Sequence, residues 1–172
     1  MGNLLIGKSA IITGSGRGIG KGIAKLMAKE GANVVIADPG VELDGTGGTT
    51  ALADDVVTEI EASGGIAVAA YESVSSMNGG QAIIQKAVDC FGKLDIVVTC
   101  HGVLRDKMIF NMTEDEWDSV MEVHLKGTFT LVQPASMIFR KQRSGRIITF
   151  SSTSGLIGNS GQANYGAAKD AI

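Results

Sequence analysis

Thr13-Gly14-Ser15-Gly16-Arg17-Gly18-Ile19-Gly20 is the stretch on which the fold is decided. It follows a short apolar run, Ser9 to Thr13, and opens a stretch of helical spacing, Ile19 to Lys29. Glycines let a backbone turn sharply and approach a pyrophosphate without a Cβ in the way. The first turn of a helix adds unpaired N–H groups and the positive end of the helix dipole. A glycine-rich turn alone is often only a turn. One that leaves a first strand and enters a first helix has the context of a dinucleotide phosphate site. Gly14, Arg17, Gly18, Ile19 and Gly20 are therefore candidate cofactor-binding residues.

The same alternation continues outward. Asn33 to Ala37, Ile66 to Ala70, Asp95 to Thr99 and Arg146 to Ser151 are brief runs rich in Val, Ile or Ala, bounded by Gly or polar residues. That is the pattern of buried strands. Between them, Thr50 to Ala62, Gly80 to Phe91 and Glu114 to Lys141 have helical length and spacing. Thr113 and Glu116 offer a capping box for the last of these, and Pro134 predicts a kink or interruption within it. Strand–helix alternation predicts right-handed βαβ units and a Rossmann-type, doubly wound parallel α/β sheet. A single dinucleotide-binding and catalytic domain over residues 1–172 is expected. Pro39 to Thr49, with Gly40, Gly45, Gly47 and Gly48, reads equally as a flexible loop or a functional lid.

Composition narrows the function. With 172 residues, 44% hydrophobic and 19% charged, the chain can bury a core and does not resemble a disordered polymer. The 24 glycines fall between apolar segments, as turns do. A net charge of −3 gives no electrostatic case for nucleic acid or an anionic membrane. Every apolar run is interrupted well short of the ~20 residues that a membrane helix needs. Cys90 and Cys100 make no disulfide framework. Met1-Gly2-Asn3-Leu4-Leu5-Ile6 has neither the form of a secretory signal nor the Ser or Thr of a myristoylation site, so a cytoplasmic protein is expected.

Asp38 closes the second strand. A carboxylate there accepts hydrogen bonds from ribose hydroxyls and repels a 2′-phosphate, whereas Arg17 could pair with that phosphate. The balance favours NAD(H) over NADP(H); the bland reading is an Asp that starts the turn at Pro39. Tyr165 and Lys169 stand four apart, on one face of any helix that carries them. Ser152 follows the fifth strand, at the end of the sheet where open parallel folds bind ligands. Hydride transfer at a carbinol carbon needs a proton to move at the oxygen. A free phenol, with a pKa of about 10, is a poor base near neutrality unless a nearby ammonium stabilises its ionised form. Ser152 can orient the substrate oxygen, and Lys169 can also hold the cofactor ribose.

The spacing Thr13-Gly14-x-x-x-Gly18-x-Gly20, followed by Asp38, Ser152, Tyr165 and Lys169, resembles the short-chain dehydrogenase/reductase family from Gly7 to Ile172. The resemblance implies an oxidoreductase with Ser152, Tyr165 and Lys169 as catalytic residues, a small-molecule substrate, no metal, and a homodimer or homotetramer. Several positions depart from the family pattern. Thr99-Cys100-His101-Gly102 stands where members usually carry Asn-Asn-Ala-Gly; Cys100, His101 and Gly102 are assigned to the cofactor-pocket wall, two adjacent candidate ligands being too few for a metal. His124 takes the place of the family's fourth catalytic residue, an Asn. It either keeps a proton-relay role through its backbone carbonyl or is a cofactor-edge histidine without one. Ser73 and Val74 stand where the family contacts adenine. Asp38-Pro39-Gly40, Leu104-Arg105-Asp106, His124-Leu125-Lys126-Gly127 and Gly161-Gln162-Ala163-Asn164-Tyr165 resemble the (3R)-hydroxyacyl-CoA dehydrogenase domains of multifunctional enzymes, and the last string also 3-oxoacyl-carrier-protein reductases. A 3-hydroxy or 3-oxo acyl thioester is the implied substrate. Steroid or terpenoid alcohols, and a non-catalytic nucleotide-binding protein, are the other readings. Family members continue well past this point, so a chain truncated at its C-terminal end is expected.

Overall fold

In a computed structural model, which describes residues 3–172, five strands run parallel in the order β3-β2-β1-β4-β5. They are β1 Ser9–Thr13, β2 Asn33–Ala37, β3 Ile66–Ala70, β4 Ile96–Thr99 and β5 Arg146–Thr149. Met1 and Gly2, which carry part of the reading of the amino terminus, lie outside the described residues. From β1 the chain winds outward to β3, then crosses back to place β4 on the other side of β1. That reversal opens a crevice at the carboxyl ends of β1 and β4.

Side chains on the two pleats divide cleanly. Ala10, Ile12, Val34 and Ile36 pack against Ala24 and Ala28 of α1 (Gly18–Lys29) and Val56 and Ile60 of α2 (Ala51–Ala62). Ile11, Val35 and Val97 face Ile83 and Ala87 of α3 (Met77–Phe91) and Leu131 and Ala135 of α5 (Gly127–Gln142). With both faces covered, β1, β2 and β4 carry continuous apolar runs instead of alternating ones. The doubly wound architecture expected from the sequence is the one observed.

Several element boundaries differ from expectation for local reasons. α3 begins at Met77, ahead of Gly80, because the Ser76 hydroxyl caps it by accepting from the Gly79 N–H at 3.1 Å. Asp95 stays outside β4, its carboxylate accepting from the Ser9 N–H at 3.0 Å and pairing with Lys8 and Lys93. β5 stops at Thr149, and the Ser151 hydroxyl beyond it donates to the Lys169 carbonyl at 2.7 Å. Nor is β5 buried: all four of its residues are exposed, and among the described residues it is the last strand of the sheet, beside β4.

The expected single helix from Glu114 to Lys141 is divided into α4 (Glu114–Met121), a π-helical turn (Glu122–Lys126) and α5. The capping box is present, with Thr113 N–H to Glu116 at 2.9 Å and Glu116 N–H to Thr113 at 3.2 Å. Pro134 does not interrupt α5. It has no N–H for the Thr130 carbonyl one turn earlier, and that carbonyl lies against Gly80 of α3, where a Cβ would sit only 2.4 Å away. The freed oxygen therefore meets the Cα of a glycine on the neighbouring helix, a weak C–H···O contact in place of the missing bond. Beyond a 3₁₀ turn at Ile109–Asn111, two short helices complete the fold: α6 (Thr153–Ile157) and α7 (Ala163–Asp170). No helix among the described residues is long and apolar enough to cross a membrane.

Two glycine replacements should have opposite signs. Gly80→Ala forces a methyl into the Thr130 carbonyl and is expected to cost about 1–3 kcal/mol. Gly22→Ala, in α1 with open space around the added methyl, is expected to stabilise by about 0.5–1 kcal/mol. Urea denaturation of the two variants checks both.

Candidate active site

β1 ends in Gly14, whose φ is +62° and where a Cβ would lie 2.7 Å from His101 Cα and 2.8 Å from the Cys100 carbonyl. Gly20, in the first turn of α1, closes on the Gly14 carbonyl so tightly that a Cβ would fall 2.2 Å from it. Gly14 thus lets the chain leaving β4 approach, and Gly20 lets the helix start on top of the turn. Gly18 faces open space. No side chain caps the N-terminus of α1, so its first N–H groups remain available to an anion. This set fits the diphosphate of a dinucleotide.

Asp38 is buried at the end of β2, accepting from the N–H of Gly16 and of Gly40, both at 2.8 Å. Arg17 donates to the Val41 carbonyl, and its guanidinium lies 3.8 Å from the Glu42 carboxylate. A cleft of about 460 Å³ opens here, at the carboxyl ends of β1 and β4. Nine of the predicted cofactor residues line it: Gly14, Arg17, Gly18, Asp38, Ser73, Val74, Cys100, His101 and Gly102. Ile19, Gly20, Tyr165 and Lys169 do not; the Ile19 side chain points to solvent, Gly20 is spent on packing, and Tyr165 and Lys169 stand on α7 (Ala163–Asp170) outside this lining. The Ser73 hydroxyl pairs with that of Ser75 at 2.8 Å. The glycine-rich loop is a wall of the cleft, its Leu43 carbonyl accepting from the Leu104 N–H at 2.9 Å.

α7 carries Tyr165 and Lys169. Lys169 is buried, donates to the Phe150 carbonyl at 2.7 Å and stands 5.9 Å from the centre of the Tyr165 ring. Burial lowers its pKa, and the Cys100 thiol acts in the opposite direction. Burial likewise raises Cys100, against the pull of Lys169. Ser152 caps α6, accepting from the Ser154 N–H at 3.2 Å, and no hydrogen bond joins it to Tyr165 among the described residues.

Two supporting residues had no role in the sequence reading. Asn164 is fully buried: its amide donates to the carbonyls of Arg105 at 2.9 Å and Glu116 at 2.8 Å, and its oxygen accepts from the Tyr165 N–H at 2.8 Å. Gln162 donates to Asp106 at 2.9 Å and accepts from the Ser154 hydroxyl at 2.8 Å. Together they tie the start of α7 to the chain leaving β4, to α4 and to α6. The signal was a pair of amides just before Tyr165, a weak one without the partners in view.

The two histidines are buried and interlocked. His101 Nδ1 lies 2.6 Å from the Thr13 hydroxyl, and its ring is within hydrogen-bonding reach of the backbones of Val123 and His124 in the π turn. His124 packs edge-on against Tyr165, with ring centres 5.1 Å apart, and its Nε2 lies 2.8 Å from the Val103 carbonyl. Its Nδ1 has no partner among the described residues, and its carbonyl accepts from the Thr128 hydroxyl at 2.8 Å. Each histidine is matched by a glycine. A Cβ on Gly102 would be 2.3 Å from the His124 ring, and one on Gly127 would be 2.9 Å from His101 Nε2. Burial pushes His101 down to about 3, helped by repulsion from His124 and Lys169, and His124 down to about 4.

A doubly wound parallel sheet with its cleft at the strand-order reversal defines a Rossmann-type α/β protein. The chain belongs to the short chain dehydrogenase family of oxidoreductases, whose family model matches residues 8–172. It is 44% identical to the peroxisomal hydratase-dehydrogenase-epimerase of Neurospora crassa over 95% of this chain and 18% of that protein. It is 41% identical to a 3-oxoacyl-acyl-carrier-protein reductase of Staphylococcus aureus, covering 96% of this chain and 64% of the relative. The crystal structure of a short chain dehydrogenase from Mycobacterium avium superposes with a TM-score of 0.90 at 45% identity, covering 99% of this chain and 63% of that one. The chain therefore spans less than two thirds of the length of each.

The buried histidines carry a pH signature. In the folded chain they protonate only at about 3 and about 4, against 6.5 for an unperturbed histidine. Between those values the unfolded chain binds more protons, so stability is fully present above about pH 6.5 and declines as the pH falls toward 4. The urea midpoint should drop between pH 7 and pH 5, and His124→Asn should flatten that drop. An equally steep fall in the variant would contradict a buried, neutral His124.

Proposed function

We propose that the chain supplies the cofactor-binding and acid–base part of an enzyme that moves a hydride between NAD(H) and a secondary alcohol or ketone. The observation that carries this reading is the buried Lys169 beside the Tyr165 ring, next to Cys100 in the wall of the cleft that holds the phosphate turn and Asp38. Nicotinamide, when bound, is the hydride acceptor or donor. The Tyr165 hydroxyl takes the proton of an alcohol or returns one to a ketone oxygen. The Lys169 ammonium, 5.9 Å from the centre of the Tyr165 ring, reaches the cofactor ribose. Ser152 orients the substrate oxygen through its hydroxyl, which the cap to Ser154 leaves free to donate. His124 holds the Tyr165 ring by edge-on packing, and its carbonyl accepts from the Gly127 N–H and the Thr128 hydroxyl.

In this reading Gly14, Gly18 and the first N–H groups of α1, at Ile19 and Gly20, hold the diphosphate. Ser73 and Val74 border the adenine, Cys100, His101 and Gly102 form the wall, and Asp38 takes the ribose hydroxyls. Asp38 is already held as a bond acceptor by Gly16 and Gly40, and its charge opposes a 2′-phosphate, which supports NAD over NADP. The substrate class is a 3-hydroxyacyl or 3-oxoacyl thioester, supported by the likeness to the Staphylococcus reductase. A homodimer or homotetramer and a cytoplasmic setting belong to the same proposal.

Tyr165→Phe removes the proton-transfer group but leaves the cleft. Turnover of a 3-oxoacyl thioester, followed by nicotinamide absorbance, should fall by about 10²–10⁴-fold, with NAD binding largely retained. Residual turnover within about tenfold of the parent would contradict the assigned role.

A further inference from the structure

We infer that Glu42, on the glycine-rich loop, is a second determinant of cofactor choice: it engages the one guanidinium at the phosphate turn, Arg17, and so withholds it from a 2′-phosphate. The inference rests on the dinucleotide reading above and adds a residue to it.

Asp38 and Arg17 pull in opposite directions in the sequence, one against a 2′-phosphate and one toward it. The structure shows how Arg17 is occupied. Its guanidinium donates to the Val41 carbonyl and faces the Glu42 carboxylate at 3.8 Å, so both partners come from the same loop. Val41 and Glu42 line the cleft with Arg17 and Asp38, and in the reading above Asp38 marks its ribose end.

Glu42 is not on a loose tether. Its N–H donates to the Thr46 carbonyl at 2.8 Å, and its carbonyl accepts from the Gly45 N–H at 3.0 Å. Asp44 braces the same turn by accepting from the N–H and hydroxyl of Thr46 at 2.9 and 2.7 Å. Leu43 is fastened to Leu104, across the mouth of the cleft. A carboxylate on a braced backbone in this place acts twice against NADP. It competes for Arg17, and it adds a second negative charge near the site where Asp38 already supplies one. Because the Glu42 side chain is largely exposed, its influence is the moderate, salt-sensitive one of a surface charge.

The test is the ratio of dissociation constants for NADP and NAD, measured by isothermal titration in the parent chain, Glu42→Gln, Glu42→Lys, and Arg17→Ala with and without Glu42→Gln. Removing one unit charge several ångströms from a phosphate in a partly solvated site corresponds to about five- to tenfold. Glu42→Gln should lower the NADP/NAD ratio by that factor at low ionic strength, less at 0.5 M salt (about a 4 Å screening length), and Glu42→Lys should lower it further. In the Arg17→Ala background most of the Glu42→Gln effect should disappear, as coupled residues require. A ratio that moves less than about threefold, or a full effect that survives without Arg17, overturns the inference while leaving the dinucleotide reading intact. A parent chain that binds neither dinucleotide overturns the reading itself, and this inference with it.

Discussion

Three backbone segments meet within van der Waals distance at the carboxyl end of β1, and the rest of the site depends on that crowding. Gly14 lies between the first turn of α1 and the chain leaving β4, with no room for a side chain on either side. The cleft exists because these segments converge without filling it. Thr13, the residue before Gly14, is secured through His101 to the π turn between α4 and α5. A displacement of the phosphate turn would thus be felt at His124 and, through its ring, at Tyr165.

The departures from the family pattern form a consistent set. Where members usually carry the Ala of Asn-Asn-Ala-Gly, His101 reaches Thr13 with an imidazole nitrogen. The same Thr13 hydroxyl donates to the Val98 carbonyl at 3.3 Å, which ties β1, β4 and this ring together. Two bulky rings then occupy space that small residues would leave open, and Gly102 and Gly127 make room for them. A hydrogen-bonded buried imidazole costs little when neutral, but protonation there is expensive. These rings therefore behave as fixed packing elements near neutrality.

Much of this was legible because its causes are local. β1, β2 and β4 announced themselves as apolar runs since helices cover both their faces, and the phosphate turn did so through its glycines. The Thr113–Glu116 box was readable because both halves of a capping box lie within four residues. What escaped the sequence has causes that lie far along the chain. Ile147 and Ile148 read as a buried strand, yet β5 is exposed among the described residues because no element there covers it. The fate of the Pro134 irregularity is decided by Gly80 on another helix. Asn164 looks like any polar residue until Arg105 and Glu116 present their carbonyls to it. Of the residues assigned to the cofactor, nine line the cleft, while Ile19 and Gly20 face solvent and packing respectively and Tyr165 and Lys169 lie on α7 outside the lining.

The sheet edge has a further consequence, for what can pair with it. Ile147 and Ile148 are 38% and 46% exposed on a strand paired along one side. An edge of this kind carries a row of backbone donors and acceptors beside greasy side chains, and it accepts any extended segment that reaches it. Arg146 is the charge on that strand that opposes such pairing. Among the described residues β5 is therefore where a further extended segment can join the sheet, on the side of β4 away from the phosphate turn.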